Sequence, residues 1–352
     1  MLSFEKRMIP VWDTDTVYGE TLTMCRDENG VAKAPLLFDP IEILEVTDAK
    51  EQTVYEAGRD YEIVNGELIL TADSRIFAFT QEEMYPAELI KGQSFPFPNG
   101  NLLFREGSFF HERQIAVTYT CRRGQWSGVK PTDASRLLPK TAERLNNGQP
   151  FRMVAYGDSI THGANASRQS NTSPFQPPYS VLFCEGLYRR FGSVVQLTNH
   201  AIGGKNSEWG IANVDYMVND YAPDLVLLAF GMNDVKWSAE VFADNTRKMI
   251  DRIRERHPAC EIILVATSTP NPILTDPRAP FYGEQRFHKR ELDKVAASYT
   301  GVAIADITGM QAFLHSRKRF IDTTGNNVNH PNDFFHRLYA QYLLGMFTAD
   351  GQ

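Results

Sequence analysis

At 352 residues the chain exceeds a typical single domain, so one large or two smaller domains is the ordinary expectation. Hydrophobic residues at 42% and charged residues at 22% provide for a core and exclude a chain dominated by disorder. A net charge of −7 without any Lys/Arg block excludes a polyanion-binding surface, so neither nucleic acid nor an anionic membrane is an expected partner.

Residues 1–15 have no apolar run behind their basic side chains, and no stretch of about 18 uncharged apolar residues follows anywhere. A cytoplasmic location is the corresponding expectation. Cys25, Cys121, Cys184 and Cys260 stand singly, without the spacing of a zinc site or the density of a disulfide framework. They are expected to be free thiols, and neither a metal nor a cofactor is expected.

Residues 1–125 carry short β-type runs separated by turn chemistry: 35–38, 41–46, 61–70 and 114–120. Within 61–70, Asn65-Gly66 lies between two alternating apolar segments. That predicts a hairpin, because a type I′ turn needs positive φ at both central positions. The absence of long helical periodicity points to an all-β sandwich domain, expected to pack separately and to shape the site without supplying catalytic groups. Residues 126–150 read as a linker with one short amphipathic helix inside 135–145.

From Phe151 the pattern changes. Strands are predicted at 152–156, 194–199, 224–230, 261–266 and 302–306, and helices at 178–191, 207–220, 240–256, 284–299 and 333–347. Continuous apolar strands such as 225–230 and 262–266 are what a sheet covered on both faces requires. Residues 151–352 are therefore expected to form an α/β domain with a doubly wound parallel sheet. Ligands collect at the carboxyl ends of such strands, which makes the residues just beyond them the ones to inspect.

Four segments there carry chemistry. Gly157-Asp158-Ser159 puts a hydroxyl on a strand-to-helix turn, where backbone N–H groups can face a bound oxygen. Gly203-Gly204, after the second strand, permits close backbone approach to a ligand. Asn233, in Gly231-Met232-Asn233-Asp234, places an amide donor beyond a buried strand. His330 precedes Pro331, which holds it in extended loop backbone ahead of the last helix. Each segment is weak alone; each is also compatible with an ordinary turn, cap or solvated side chain.

In this order and on these elements, the four segments resemble those of the SGNH/GDSL hydrolase superfamily, over residues 150–348 and not in the first domain. The resemblance implies a flavodoxin-like α/β fold and a serine esterase. It implies Ser159 as nucleophile and one oxyanion donor, Gly204 rather than Gly203 as a second donor, Asn233 as a third, and His330 as general base. One departure stands out. The family's usual aspartate three residues before the histidine is here Asn327. Asn327, Asp322, Asp333 or a backbone carbonyl is the expected partner of the imidazole. Asp158 is expected to be a structural hydrogen-bonding group, His162 a pocket wall or solvated, and His336 packing. Trp209 and Trp237 stack on a sugar or pack against their helices.

A β domain ahead of such a hydrolase resembles the arrangement in some carbohydrate esterases, so a small acyl ester, favourably an acetylated carbohydrate, is the expected substrate. A short-chain lipid esterase or thioesterase would use the same four residues. A non-catalytic carbohydrate-binding relic is the alternative from another functional class.

Overall fold

The computed structural model describes residues 1–348; the last four residues of the expected 151–352 domain lie outside the described residues. Five parallel strands form the central sheet: β9 (Phe151–Gly157), β10 (Val195–Asn199), β11 (Leu225–Ala229), β12 (Glu261–Ala266) and β13 (Val302–Asp306), in the order β10-β9-β11-β12-β13. Side chains of a strand alternate between faces, and the apolar runs fill two cores accordingly. Met153, Ala155, Leu225, Leu227, Ile263 and Val265 face one cluster. Val154, Tyr156, Val226, Leu228, Ile262 and Leu264 face the other.

Helices Tyr179–Phe191, Ile307–Arg317 and Asp333–Gly345 cover the first face, and helices Ser207–Met217, Ala239–Arg256 and Gln285–Ala297 cover the second. The predicted strands and helices are present within a few residues. The helix Ile307–Arg317 was not expected. Ile307, Met310 and Leu314 are buried on one side, while Phe313 packs against Trp126 with ring centroids 4.4 Å apart. Its apolar residues therefore spread around the axis and leave no single stripe in the sequence.

The N-terminal region is antiparallel β. It has eight strands: β1 (Thr16–Thr23), β2 (Lys33–Pro35), β3 (Pro40–Asp48), β4 (Tyr61–Val64), β5 (Glu67–Leu70), β6 (Ser94–Phe97), β7 (Gly100–Leu103) and β8 (Gln114–Cys121). They form sheets β1-β8-β3 and β2-β5-β4 and the hairpin β6-β7. The β4–β5 turn is the one expected, with φ of 51° at Asn65 and 79° at Gly66.

The expectation of separate packing is corrected. One apolar cluster runs from Val17, Leu22, Val117 and Tyr119 of the β region into Leu338, Tyr339 and Leu343 of the final helix. Polar contacts reinforce it: the fully buried Lys318 pairs with Glu20 on β1, and Arg337 donates to the carbonyls of Tyr18 and Gly19. The physical reason is that the β-sheet leaves an apolar face the final helix can cover, so the two halves bury each other.

All four cysteines are free. Among the described residues no helix is long and apolar enough to cross a membrane, and no cluster of His, Cys, Asp and Glu could hold a metal ion.

Candidate active site

In an open sheet of this strand order the ligand crevice opens where strand order reverses, outside the carboxyl ends of β9 and β11. Gly157 ends β9 against Ala229, and a Cβ there would come 2.3 Å from the Ala229 carbonyl oxygen, so only glycine fits. The chain then turns into the one-turn helix Ser159–His162. Asp158 caps it, accepting from the Ile160 amide at 3.0 Å. Ser159, half-buried, heads that helix. Asp158 is fully buried, and burial pushes its carboxyl up to about 7.

Ser159 Oγ lies 2.8 Å from His330 Nε2. The histidine loop is built around Asn326, whose Oδ1 accepts the amides of Val328, Asn329 and His330 at 3.0, 3.0 and 3.1 Å. The His330 carbonyl is taken by Thr324 Oγ1 and the Gly325 amide. The β region clamps the same loop from outside. Thr23 donates its amide to Asp322 at 2.8 Å, and Gln114 donates to the Thr324 carbonyl at 2.9 Å.

Two groups that no sequence pattern marked meet the other imidazole nitrogen. Asn165 Oδ1 lies 2.8 Å and Glu106 Oε2 3.1 Å from His330 Nδ1. Asn165 Nδ2 already donates to the carbonyls of Gly107 and Gly325, at 2.9 and 3.0 Å, which fixes the amide so that its oxygen faces the ring. An amide oxygen and a carboxylate can only accept, so Nδ1 carries the proton and the Nε2 lone pair faces Ser159. Partial desolvation disfavours ionisation of the half-exposed Glu106. Hydrogen bonds from His330 and Asn326, with the attraction of a protonated His330, outweigh it and hold the carboxyl below the usual range.

Of the segments carrying the candidate oxyanion donors, the second lies against Ser159 and the third is tied to the second. A Cβ on Gly203 would sit 3.7 Å from Ser159 Cβ, and Gly204 takes φ of 74° with open space at its Cβ position. Asn233 Nδ2 donates to the Lys205 carbonyl at 3.0 Å, tying the third segment to the second. The Ile202 amide bonds the Gly157 carbonyl at 3.1 Å, and Asn199 Nδ2 bonds that of Thr161 at 2.8 Å. Ser159, Gly204, Asn233 and His330 are thus brought to one end of the sheet.

The three expected partners of the imidazole are not there. Asn327, at φ of 67°, turns its amide away to the Leu103 carbonyl and Met84 sulfur. Asp322 pairs with Arg319 and accepts the Thr23 amide. Asp333 accepts the Ser167 amide at 2.8 Å. No backbone carbonyl orients the ring either; side chains from residues 106 and 165 do. The β region therefore contributes a group to the site, which corrects the expectation that it would not.

Exposed His162 has Nδ1 3.2 Å from the Ala201 carbonyl oxygen. His336 is buried packing against Tyr179, its pKa pushed down to about 4 by burial. Trp209 packs beside Tyr156 with centroids 6.0 Å apart.

Residues 155–338, just over half of the chain, match the GDSL-like lipase/acylhydrolase family. The chain belongs to that family. This GDSL protein also has structural neighbours of low identity. One is a two-domain esterase active on acetylated mannans, at 21% identity and TM-score 0.48, over 64% of this chain and 56% of that one. A second is a member of the lipolytic G-D-S-L family from Veillonella parvula, at 19% and 0.43, over 56% and 98%. A third is the acetylxylan esterase Axe2 from Geobacillus stearothermophilus, at 16% and 0.44, over 56% and 94%. The chain spans just over half the length of the two-domain esterase. No curated protein sequence matches it.

Proposed function

We propose that this GDSL protein is a serine esterase in which Ser159 is the nucleophile and His330 the general base. The observation that carries it is the 2.8 Å contact from Oγ to a nitrogen whose lone pair is left free because Asn165 holds the proton on the other. As Oγ attacks the ester carbonyl carbon, its proton passes to Nε2 and the carbonyl oxygen becomes an oxyanion. The Ser159 and Gly204 amides and the Asn233 side chain are the donors for that oxygen. Collapse breaks the bond to the alcohol oxygen, which leaves with the Nε2 proton and generates the acyl-serine. Water then attacks, its proton going to Nε2, and the carboxylic acid departs as Oγ recovers the proton.

The favoured substrate is a small acyl ester of a carbohydrate. Support comes from the rim: Gly203, Gly204 and His162 are exposed and the Glu106 side chain is half-exposed, so the polar edge lies open to a large hydrophilic alcohol. A fluorophosphonate probe should label Ser159, with Ser159→Ala unlabelled. Activity should be highest on p-nitrophenyl acetate and acetylated sugars, and low on long-chain esters and acyl-CoA. A label at another residue, or none on folded protein, would refute the nucleophile; preference for long acyl chains or acyl-CoA would refute the substrate class.

A further inference from the structure

Resting on that reading, we infer that Glu106, carried by the β region, supplies the negative charge for His330 that Asn327 cannot, while Asn165 sets the tautomer. The two tasks usually fall to one aspartate. When Nε2 accepts the serine proton, the ring becomes an imidazolium, and a neutral amide oxygen stabilises that charge far less than a carboxylate does. Glu106 Oε2 stands 3.1 Å from Nδ1. Its other oxygen accepts from Asn326 Nδ2, also at 3.1 Å. Asn326 is the residue whose Oδ1 shapes the histidine loop, so the carboxylate is oriented by the loop it serves.

The segment carrying Glu106 is pinned on both sides. Leu103 and Phe110 are buried with Phe79 and Met84, the Gly107 carbonyl accepts from Asn165, and His111 Nε2 lies 2.7 Å from the Ser173 carbonyl oxygen. These contacts tie the 103–111 stretch to both halves, and the site is incomplete without the β region.

Charged or titratable groups facing His330 are Glu106, the buried Asp158 beneath the nucleophile, and His336 on the final helix, which burial keeps neutral. Glu106 is a positioning residue, acting through the imidazole. Its side chain is 49% exposed, so water and salt screen it more than they would a buried aspartate. The effect is accordingly smaller than the ~10⁴-fold typical of a triad aspartate, about 10- to 100-fold in kcat.

The test uses the full chain carrying Glu106→Gln, which removes the charge and keeps the shape, with p-nitrophenyl acetate as substrate and fluorophosphonate labelling in parallel. The expected result is that fall in kcat with KM little changed. The acid limb of the kcat/KM profile should move to lower pH, because the ring would lose the carboxylate that attracts its charged form. The gap from the parent protein should narrow at about 1 M salt. Glu106→Lys, which reverses the charge, should move the limb further. If Glu106→Gln matches the parent in kcat and in pH profile while Ser159 still labels, the inference fails and the Ser159–His330 reading stands. A slower enzyme with an unmoved acid limb and a salt-independent gap also overturns it, marking a structural role. A parent protein that neither labels nor hydrolyses overturns both.

Discussion

A neutral imidazole has one Nδ1 proton, and at His330 two acceptors compete for it: Asn165 Oδ1 at 2.8 Å and Glu106 Oε2 at 3.1 Å. Removing either leaves the other in place, so the pair should behave non-additively. Asn165→Gly is the informative substitution, because Asn165 has φ of 62° and glycine keeps that backbone without strain. It deletes three hydrogen bonds, one to the ring and two from Nδ2 to the carbonyls of Gly107 and Gly325. At about 0.5–1.5 kcal/mol each, the loss of stability is about 1.5–4.5 kcal/mol, measurable by chemical denaturation. With Glu106 still taking the proton, kcat on p-nitrophenyl acetate should fall about 10- to 100-fold. Adding Glu106→Ala leaves only solvent for Nδ1–H. The double variant should then lose more than the product of the two single losses, toward the ~10⁴-fold of a triad lacking its acid. Steady-state kinetics on all four proteins, each confirmed folded by circular dichroism, closes the cycle. Asn165→Gly alone as inactive as His330→Ala, or single losses that simply multiply, would refute the shared-proton account.

Asn233→Ala should lower kcat about 10²- to 10³-fold with little change in KM, since an oxyanion donor acts mainly in the transition state; an unchanged kcat removes it from the hole. Asp322→Asn weakens a part-buried pair with Arg319 and should cost stability, at most about 3–5 kcal/mol if the pair is lost, with kcat per folded molecule retained. Asp333→Asn should likewise keep its activity, and a rate as low as that of His330→Ala in either folded variant would contradict the placement of the imidazole's partners. Burial raises the Asp158 carboxyl from its ordinary 3.8 to about 7, so between those values the folded protein holds a proton the unfolded chain has lost. Its contribution to stability therefore falls as pH rises from about 4 to about 7 and is level above. Asp158→Asn, which retains the cap acceptor, should flatten that part of the pH dependence of Tm and melt higher at pH 8; an unaltered profile would show that Asp158 is not the group responsible.

Much of this protein can be read along the chain. Apolar runs at 225–229 and 262–266 announce a doubly covered parallel sheet, because alternate residues of each strand must face two cores. Asn65-Gly66 announces a hairpin because the turn's backbone conformation is local. That Ser159, Gly204, Asn233 and His330 each sit just past a strand or before a helix is legible, and the parallel topology puts the strands' carboxyl ends on one side. The helix at Ile307–Arg317 was hidden because Phe313 and Leu314 bury in different directions, a pattern that acquires meaning only once Trp126 is in place. The partners of the imidazole were hidden more thoroughly. Asn327, Asp322 and Asp333 are near His330 in sequence, but the Leu103 carbonyl, the Thr23 amide and the Ser167 amide, all outside the loop, hold the three elsewhere. Asn165 and Glu106 lie 165 and 224 residues away along the chain and reach Nδ1 only when the loop after the nucleophile and the 103–111 stretch both seat against the final loop. Local conformation and burial period are properties a segment carries with it. Which carboxylate faces which imidazole depends on long-range closure of the two halves on one core, and that is decided by the tertiary structure alone.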